Sequence, residues 1–332
     1  MKKILTGIRS TGTPHLGNIL SVIKPSVSIA NKNKKYFSFI FIADLHSLIK
    51  KENIKNIKNN VYQIISAWLA FGLNIENCII YRQSDVTEVT ELAWYLSCFF
   101  PYQRLTLAHA FKNAIQEKKK SQINVGLFTY PILMASDILL YDAEIIPIGL
   151  DQLQHIEITR RIAGYFNQKI GKNVFLIPNA FLKKKTMFIP GTDGKKMSKS
   201  QNNYINIFSP YHDLKKQIMN IHTDSKSLAD KKNPEINTII SIYQLIAPSS
   251  KVLKMKKKYI KGGYGYLEAK EALYEYIIQH FANEREKFFN FMKKKSFLEK
   301  ILISGAYKAK NIAHKKLDII RKCFNFNSLL KN

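Results

Sequence analysis

Ile4-Leu5-Thr6-Gly7-Ile8, then Arg9-Ser10-Thr11-Gly12-Thr13-Pro14-His15-Leu16-Gly17-Asn18, then Ile19-Leu20-Ser21-Val22-Ile23, decide the fold class. The first run is short and apolar and reads as a strand. The last reads as a helix, so His15, Gly17 and Asn18 fall in a strand-to-helix turn. A helix start carries unpaired N–H groups and a partial positive charge, which suits a phosphate. Gly17 removes a side chain where a backbone must approach a ligand closely. His15 and Asn18 are short hydrogen-bonding groups beside it. Taken alone, His15 reads as a surface turn histidine.

A second segment changes that balance. Lys196-Met197-Ser198-Lys199-Ser200 follows Gly191-Thr192-Asp193-Gly194, so it belongs to a loop. Two ammonium groups on one loop can close over a polyanion.

Outward from the first turn, apolar runs alternate with helical patterns. Tyr36 to Ala43 is continuously apolar, as a buried parallel strand is. Val61, Ile64, Ile65, Trp68 and Leu69 recur at helical spacing. Cys78 to Tyr81 reads as a strand, Leu92 to Phe100 as a helix, Glu144 to Ile148 as a strand and Gln154 to Phe166 as a helix. Such alternation predicts an α/β architecture, a Rossmann-like parallel sheet covered on both faces. Ligands of these sheets bind beyond the strand C-termini, where both named turns and Gly149-Leu150-Asp151-Gln152 fall.

After the lysine loop, strand-like runs become few. Leu214 to Ile221, Thr238 to Ala247, Tyr266 to Met292 and Phe297 to Phe324 read as helices. The expected division is an α/β domain over 1–203, which the resemblance described below makes the catalytic, nucleotide-binding one, and an α-helical domain over 204–332.

Composition sets the bounds. The chain has 332 residues, 46% of them hydrophobic, enough for a core in each of two domains. Lys+Arg total 52 against Asp+Glu 24, a net charge of +28 that attracts polyanions such as nucleic acid. Nearly all of that charge is lysine, so solvated lysine faces explain it equally well. Clusters at Lys118-Lys119-Lys120, Lys256-Lys257-Lys258 and Lys293-Lys294-Lys295 read most simply as solvated, although the second and third, in the helical half, could also meet RNA phosphates. Cys78, Cys98 and Cys323 lie far apart, which suggests neither a zinc site nor a disulfide framework. The N-terminus has no signal-peptide core, and no apolar run reaches the roughly 18 residues of a membrane span. A cytoplasmic protein without a membrane segment is expected.

Together the two turns resemble the HIGH and KMSKS signatures of class I aminoacyl-tRNA synthetases. The first ends in Asn18 instead of His, as in tryptophanyl enzymes; the second matches in all five positions. Between them lies Tyr130-Pro131-Ile132-Leu133-Met134-Ala135-Ser136-Asp137, continuing to Tyr141, with Tyr130, Met134, Asp137 and Tyr141 on one helical face. A carboxylate among apolar groups needs a partner. That partner is either another core side chain or a ligand donor, and an indole N–H would suit it.

This segment, Gly149 to Glu157, Gly126 to Thr129 and Thr223-Asp224 look like tryptophanyl-tRNA synthetases in particular. The resemblance implies activation of L-tryptophan by ATP and its transfer to tRNA(Trp). It also implies a homodimer and an anticodon-reading helical domain. ATP with Mg²⁺ would be the co-substrate, with no metal of the protein's own.

For single positions, it implies catalytic roles for His15, Asn18, Lys196 and Lys199. ATP would be lined by Arg9, Ser10, Thr11, Gly17, Asn18, Gly149, Leu150, Asp151, Met187, Lys196, Met197, Ser198, Lys199 and Ser200. Tryptophan would be held by Tyr130, Met134, Asp137 and Gln152. Two positions depart from the family pattern. Arg9 stands where many relatives carry Gln, and Phe111-Lys112-Asn113-Ala114 keeps one of two lysines. Lys112 or the Lys118 cluster would then serve pyrophosphate. Three other readings share features of this chain: a tyrosyl-tRNA synthetase, a non-catalytic RNA-binding relative, and a small nucleotidyltransferase. The last has no need of the helical half.

Overall fold

The computed structural model describes residues 1–32, 35–49, 51–116, 123–149, 152–182 and 188–326. Five strands, β1 (Lys2–Arg9), β2 (Tyr36–Ala43), β3 (Cys78–Arg82), β4 (Ile145–Ile148) and β5 (Asn179–Leu182), form one sheet in the order β3-β2-β1-β4-β5. Every pair is parallel, and β1 and β2 are in register from Lys2 opposite Tyr36 to Arg9 opposite Ala43. The chain runs outward from β1 through β2 to β3, then returns to the other side of β1 as β4. This reversal opens a crevice beyond the C-terminal ends of β1 and β4. Arg9 and Ile148 are the last residues of those strands, so the His15 turn and Gly149 leave the sheet at that crevice.

The expected helix at Ile19–Ile23 is instead a wide π turn between α1 (Leu16–Asn18) and α2 (Lys24–Lys32). Pro25 lacks an N–H for the carbonyl of Ser21, and the wider turn removes the need for that bond. Ser21 Oγ instead donates back to the Gly17 carbonyl at 2.6 Å. Both faces of the sheet are covered. On one side α2 and α3 (Ile57–Ala70) bury Val27 and Trp68, and Trp68 Nε1 donates to Ser26 Oγ at 3.0 Å. On the other lie α4 (Glu88–Phe99), α7 (Val125–Leu139) and α8 (Leu153–Ile170), preceded by short α5 (Tyr102–Leu105) and α6 (His109–Gln116).

The second half is helical: α9 (Tyr211–Met219), α10 (Thr238–Ile246), α11 (Ser249–Lys261), α12 (Tyr266–His280), α13 (Ala282–Lys293) and α14 (Lys295–Cys323). The single helix expected over Tyr266 to Met292 is broken at Phe281, whose fully buried ring caps α12. Helix α11 was hidden by its lysines. Val252, Met255 and Tyr259 form a buried stripe, while Lys256 turns out to Glu235 at 2.7 Å.

No gap in the core marks the 203/204 boundary. Ile205, Ile207 and Phe208 share a cluster with Leu16, Ile19, Ile23 and Trp68. Helix α14 then returns to cover the free edge of β3. A Cβ built on Gly305 would lie 1.7 Å from the Ile80 carbonyl oxygen, so helix and strand backbones touch there. Covering an edge strand in this way removes a template for aggregation. Three ionic contacts fix the helix along its length: Arg82 to Glu299 at 2.9 Å, Lys316 to Asp142 at 2.5 Å and Arg321 to Glu91 at 2.6 Å. Among the described residues, no helix is long and apolar enough to cross a membrane.

Candidate active site

His15 caps the helix that follows β1. Its Nδ1 accepts from the Asn18 N–H at 3.3 Å, while the Asn18 side chain accepts from the His15 N–H at 3.2 Å. A backbone N–H can only donate, so Nδ1 is the acceptor and the ring proton sits on Nε2. Burial, then the nearby Lys199 ammonium, lowers the His15 pKa to about 4. The imidazole is therefore a neutral donor at pH 7. A Cβ on Gly17 would fall 2.8 Å from the His15 ring, so only glycine leaves the ring its place.

The lysine loop folds onto this turn. Gly17 N–H meets Met197 Sδ at 3.3 Å, and Met197 is buried. Lys199 Nζ donates to the Thr11 carbonyl at 3.0 Å. It also lies 3.3 Å from where a Cβ on Gly12 would be, a residue with φ of +101°. Burial lowers the Lys199 pKa to about 8. Lys196 is exposed on the same loop, and Ser198 Oγ lies 3.1 Å from Ser200 Oγ.

One residue that sequence reasoning missed holds the loop in shape. Asn203 Nδ2 donates to Asp193 Oδ1 at 2.7 Å and to the Lys196 carbonyl at 3.1 Å, and its Oδ1 accepts from Ser198 N–H at 2.7 Å. The Asn203 bond keeps the Asp193 carboxyl below its ordinary pKa. The base of the loop also ties to the Thr223-Asp224 turn through His222 N–H and the Thr192 carbonyl, at 2.7 Å. Asp224 itself accepts from the Tyr266 hydroxyl at 2.5 Å.

Other expected nucleotide positions are placed unevenly. Arg9 ends β1, and its charge acts on the Tyr130 hydroxyl, which joins the strand end to the α7 pocket. Ser10 is fully buried: its hydroxyl donates to Ser47 Oγ at 2.9 Å and its carbonyl accepts from Asn60 at 3.0 Å. Ser10 supports the turn from beneath. Gly149 accepts from the Gln152 N–H at 3.0 Å. Leu150, Asp151, Met187 and the Lys118 cluster lie outside the described residues. Lys112 is exposed on α6.

The second half of the site is built on α7, whose N-cap Asn124 accepts from Leu127 N–H at 2.8 Å. Tyr130 donates to or accepts from His155 Nε2 at 2.8 Å, and burial pushes its phenol up to about 12. Met134 is half-buried one turn on. Tyr141, expected on the same helical face, lies beyond the helix end. Its buried ring packs 4.8 Å from Phe39 and 5.7 Å from Tyr81.

Asp137 is 3% exposed and has two partners that the sequence did not reveal. Gln83 Nε2 lies 2.9 Å from both carboxylate oxygens, and His46 Nε2 lies 3.0 Å from Oδ2. Burial raises the Asp137 pKa, and the His46 and Gln83 bonds oppose that rise. A carboxylate offers about four lone-pair sites. Three contacts leave room for one more donor. No periodicity points to His46 or Gln83, because each follows a different strand. Their one legible signal is position, just beyond the C-terminal ends of β2 and β3. Among the described residues, no group of three or more His, Cys, Asp or Glu side chains is arranged to hold a metal ion.

The lysine loop thus sits on the His15 turn, and α7 carries Tyr130, half-buried Met134 and the buried Asp137 carboxylate, with the Arg9 charge acting on Tyr130. The chain is similar to known proteins over nearly its whole length. The model of the family described as tRNA synthetases class I (W and Y) matches residues 1–282. The tryptophan–tRNA ligase of Fusobacterium nucleatum is 41% identical over 317 residues, 96% of each chain. That of Campylobacter jejuni is 40% identical over 318 residues, 96% of this chain and 98% of its own.

Among solved structures, the Campylobacter jejuni tryptophanyl-tRNA synthetase complexed with ADP and tryptophan superposes with a TM-score of 0.88. It is 39% identical and covers 97% of this chain and 99% of its own. The tyrosyl-tRNA synthetase of Archaeoglobus fulgidus, at 16% identity and a TM-score of 0.62, shares the fold. From the matched model, the near full-length identity and the paired His15 and Lys199 segments, the chain belongs to the class I tRNA synthetases of the tryptophan and tyrosine family.

Proposed function

We infer that the chain is a tryptophan–tRNA ligase: it activates L-tryptophan with ATP and transfers it to the 3′ end of tRNA(Trp). The observation that carries this reading is the seating of the lysine loop on the His15 turn, with Lys199 3.0 Å from the Thr11 carbonyl. That seat lies at the crevice between β1 and β4, where a nucleotide binds in such sheets.

In the first step the tryptophan carboxylate attacks the α-phosphorus of ATP in line. The bond to the β-phosphate oxygen breaks and pyrophosphate leaves. The attacking group is already ionised, so no general base is needed, and catalysis is positioning plus charge stabilisation. The Lys199 ammonium leaves the Thr11 carbonyl for the pyrophosphate, joined by Lys196. His15 Nε2–H and the Asn18 amide donate to phosphate oxygens from the helix-start side. Mg²⁺ enters as part of the ATP co-substrate. Met134 lies against the indole, Asp137 accepts its N–H, and Tyr130 and Gln152 hold the amino-acid head group. In the second step the 2′-hydroxyl of the terminal adenosine attacks the adenylate carbonyl and AMP leaves.

The helices from Tyr211 onward would meet the anticodon, and their lysine-rich surfaces support that assignment. The working form would be a cytoplasmic homodimer, in keeping with the exposure of Trp94 at 68% and Tyr102 at 69% on adjacent helices. ATP–pyrophosphate exchange with L-tryptophan and with L-tyrosine tests the reading. Exchange with tryptophan alone supports it, whereas exchange with tyrosine alone would make the chain a tyrosyl enzyme.

A further inference from the structure

The Asp137 carboxylate has to remain an acceptor while 3% exposed among apolar groups, where burial favours its neutral form. A protonated carboxyl would turn a donor toward the indole N–H, so the charge state of this one group decides what the pocket selects. Gln83 stands where it can decide it. Gln83 is 1% exposed, and its amide nitrogen straddles the carboxylate at 2.9 Å from each oxygen. Its amide oxygen faces the His46 backbone N–H at 3.4 Å. That N–H can only donate, so it fixes the oxygen of Gln83 toward itself and the NH₂ toward Asp137. Through this bond Gln83 also braces the residue whose ring makes the other contact, His46 Nε2 at 3.0 Å from Asp137 Oδ2.

The segments that carry Gln83 and His46 are locked together next door. Asp44 accepts from Ser84 N–H at 2.9 Å, from Leu45 N–H at 3.1 Å and from the Ser84 hydroxyl. The ends of β2 and β3 therefore present a fixed pair of donors to a carboxylate on α7. Among the described residues, the ionisable groups besides His46 that act on Asp137 or feel its charge include Asp44, Tyr81 and Tyr141. None of these three is a cation, so the carboxylate is kept an acceptor by the His46 contact, its charge included, and by the Gln83 amide.

We propose that Gln83 is the positioning residue that holds Asp137 as the acceptor for the tryptophan indole N–H. It sets discrimination without touching the reacting atoms. The proposal rests on the assignment of Asp137 as the indole acceptor.

The test compares two substrates on one enzyme sample in ATP–pyrophosphate exchange: L-tryptophan and benzothiophen-3-yl-alanine, its isostere with sulfur in place of the N–H. Because both rates come from the same preparation, partial unfolding of a variant cancels in their ratio. The wild-type chain should prefer tryptophan strongly in kcat/KM. Gln83→Met keeps the length and removes the donors. It should narrow that preference roughly ten-fold to a hundred-fold, the size of a hydrogen bond to a charged group. The change should enter through the tryptophan KM, with kcat and the isostere's KM nearly unchanged. If wild type prefers tryptophan and Gln83→Met keeps the whole preference, the role of Gln83 is overturned while Asp137 keeps its assignment. If wild type accepts both substrates equally, the Asp137 assignment itself fails and takes this inference with it.

Discussion

Lys199 Nζ donates to the carbonyl oxygen of Thr11 at 3.0 Å across 188 residues of sequence. A half-buried ammonium held by one neutral carbonyl is under-partnered for its charge. A triphosphate arriving at the same turn offers it a better acceptor. Loop and turn thus meet through this bond, and the charge can change partners when ATP enters.

His15 gives the site a defined acid response. Its folded pKa of about 4 lies below the ordinary 6.5 because burial and Lys199 disfavour the charged ring. Above pH 6.5 the ring is neutral in both folded and unfolded chains. As pH falls from 6.5 through 4, the unfolded chain binds the proton first, so stability is lost over that window. The loss should approach roughly 3 kcal/mol. Denaturant melts of His15→Gln should lack that share of the acid destabilisation. At pH 7, nitrogen NMR of wild type should show the Nε2–H tautomer.

Asn203 shapes the lysine loop through its bonds to Asp193, Lys196 and Ser198. Asn203→Ala leaves a part-buried N–H at Ser198 without its acceptor, a cost of about 1 kcal/mol. We expect a lower melting temperature and slower adenylate formation, with the tryptophan dissociation constant unchanged in equilibrium binding.

Asp137→Ala removes the acceptor on the pocket floor and leaves Gln83 and His46 facing a void. Tryptophan binding measured by calorimetry should weaken on the order of ten-fold to a hundred-fold. Unaltered affinity would return Asp137 to the role of a core residue partnered only by side chains.

Gly305→Ala probes the seam between α14 and the sheet. The added methyl would meet the Ile80 backbone, which has no flexible end to move aside. A destabilisation of about 3 kcal/mol or more is expected from thermal unfolding. Alanine at Gly164 on α8, where nothing lies within 4 Å, should be neutral or stabilising.

Much of this was legible because it is local. The apolar run Tyr36 to Ala43 is β2 residue for residue, and the His15 turn announces itself by its strand, glycine and helix. The lysine loop was legible by its own residues, whereas the bond from Lys199 to the Thr11 carbonyl is seen only in the structure. What stayed hidden is non-local. Gln83 and His46 reach Asp137 from 54 and 91 residues away, and hydrogen bonds at that range leave no periodicity. Strand β5, four residues long, is too short for alternation to show. Gly305 looks like a weak helix residue until Ile80 is seen beside it. Phe281 breaks a helix without glycine or proline, because its buried ring fixes the corner between α12 and α13.

The most direct test of a triphosphate gripped between the His15 turn and the lysine loop is single-turnover adenylate formation by Lys199→Ala, read beside tryptophan binding. We expect the chemical step to slow on the order of 10²–10³-fold, as when one preorganised donor is lost, with tryptophan affinity intact. An unchanged rate of adenylate formation would contradict that grip and take the lysine loop out of the reaction.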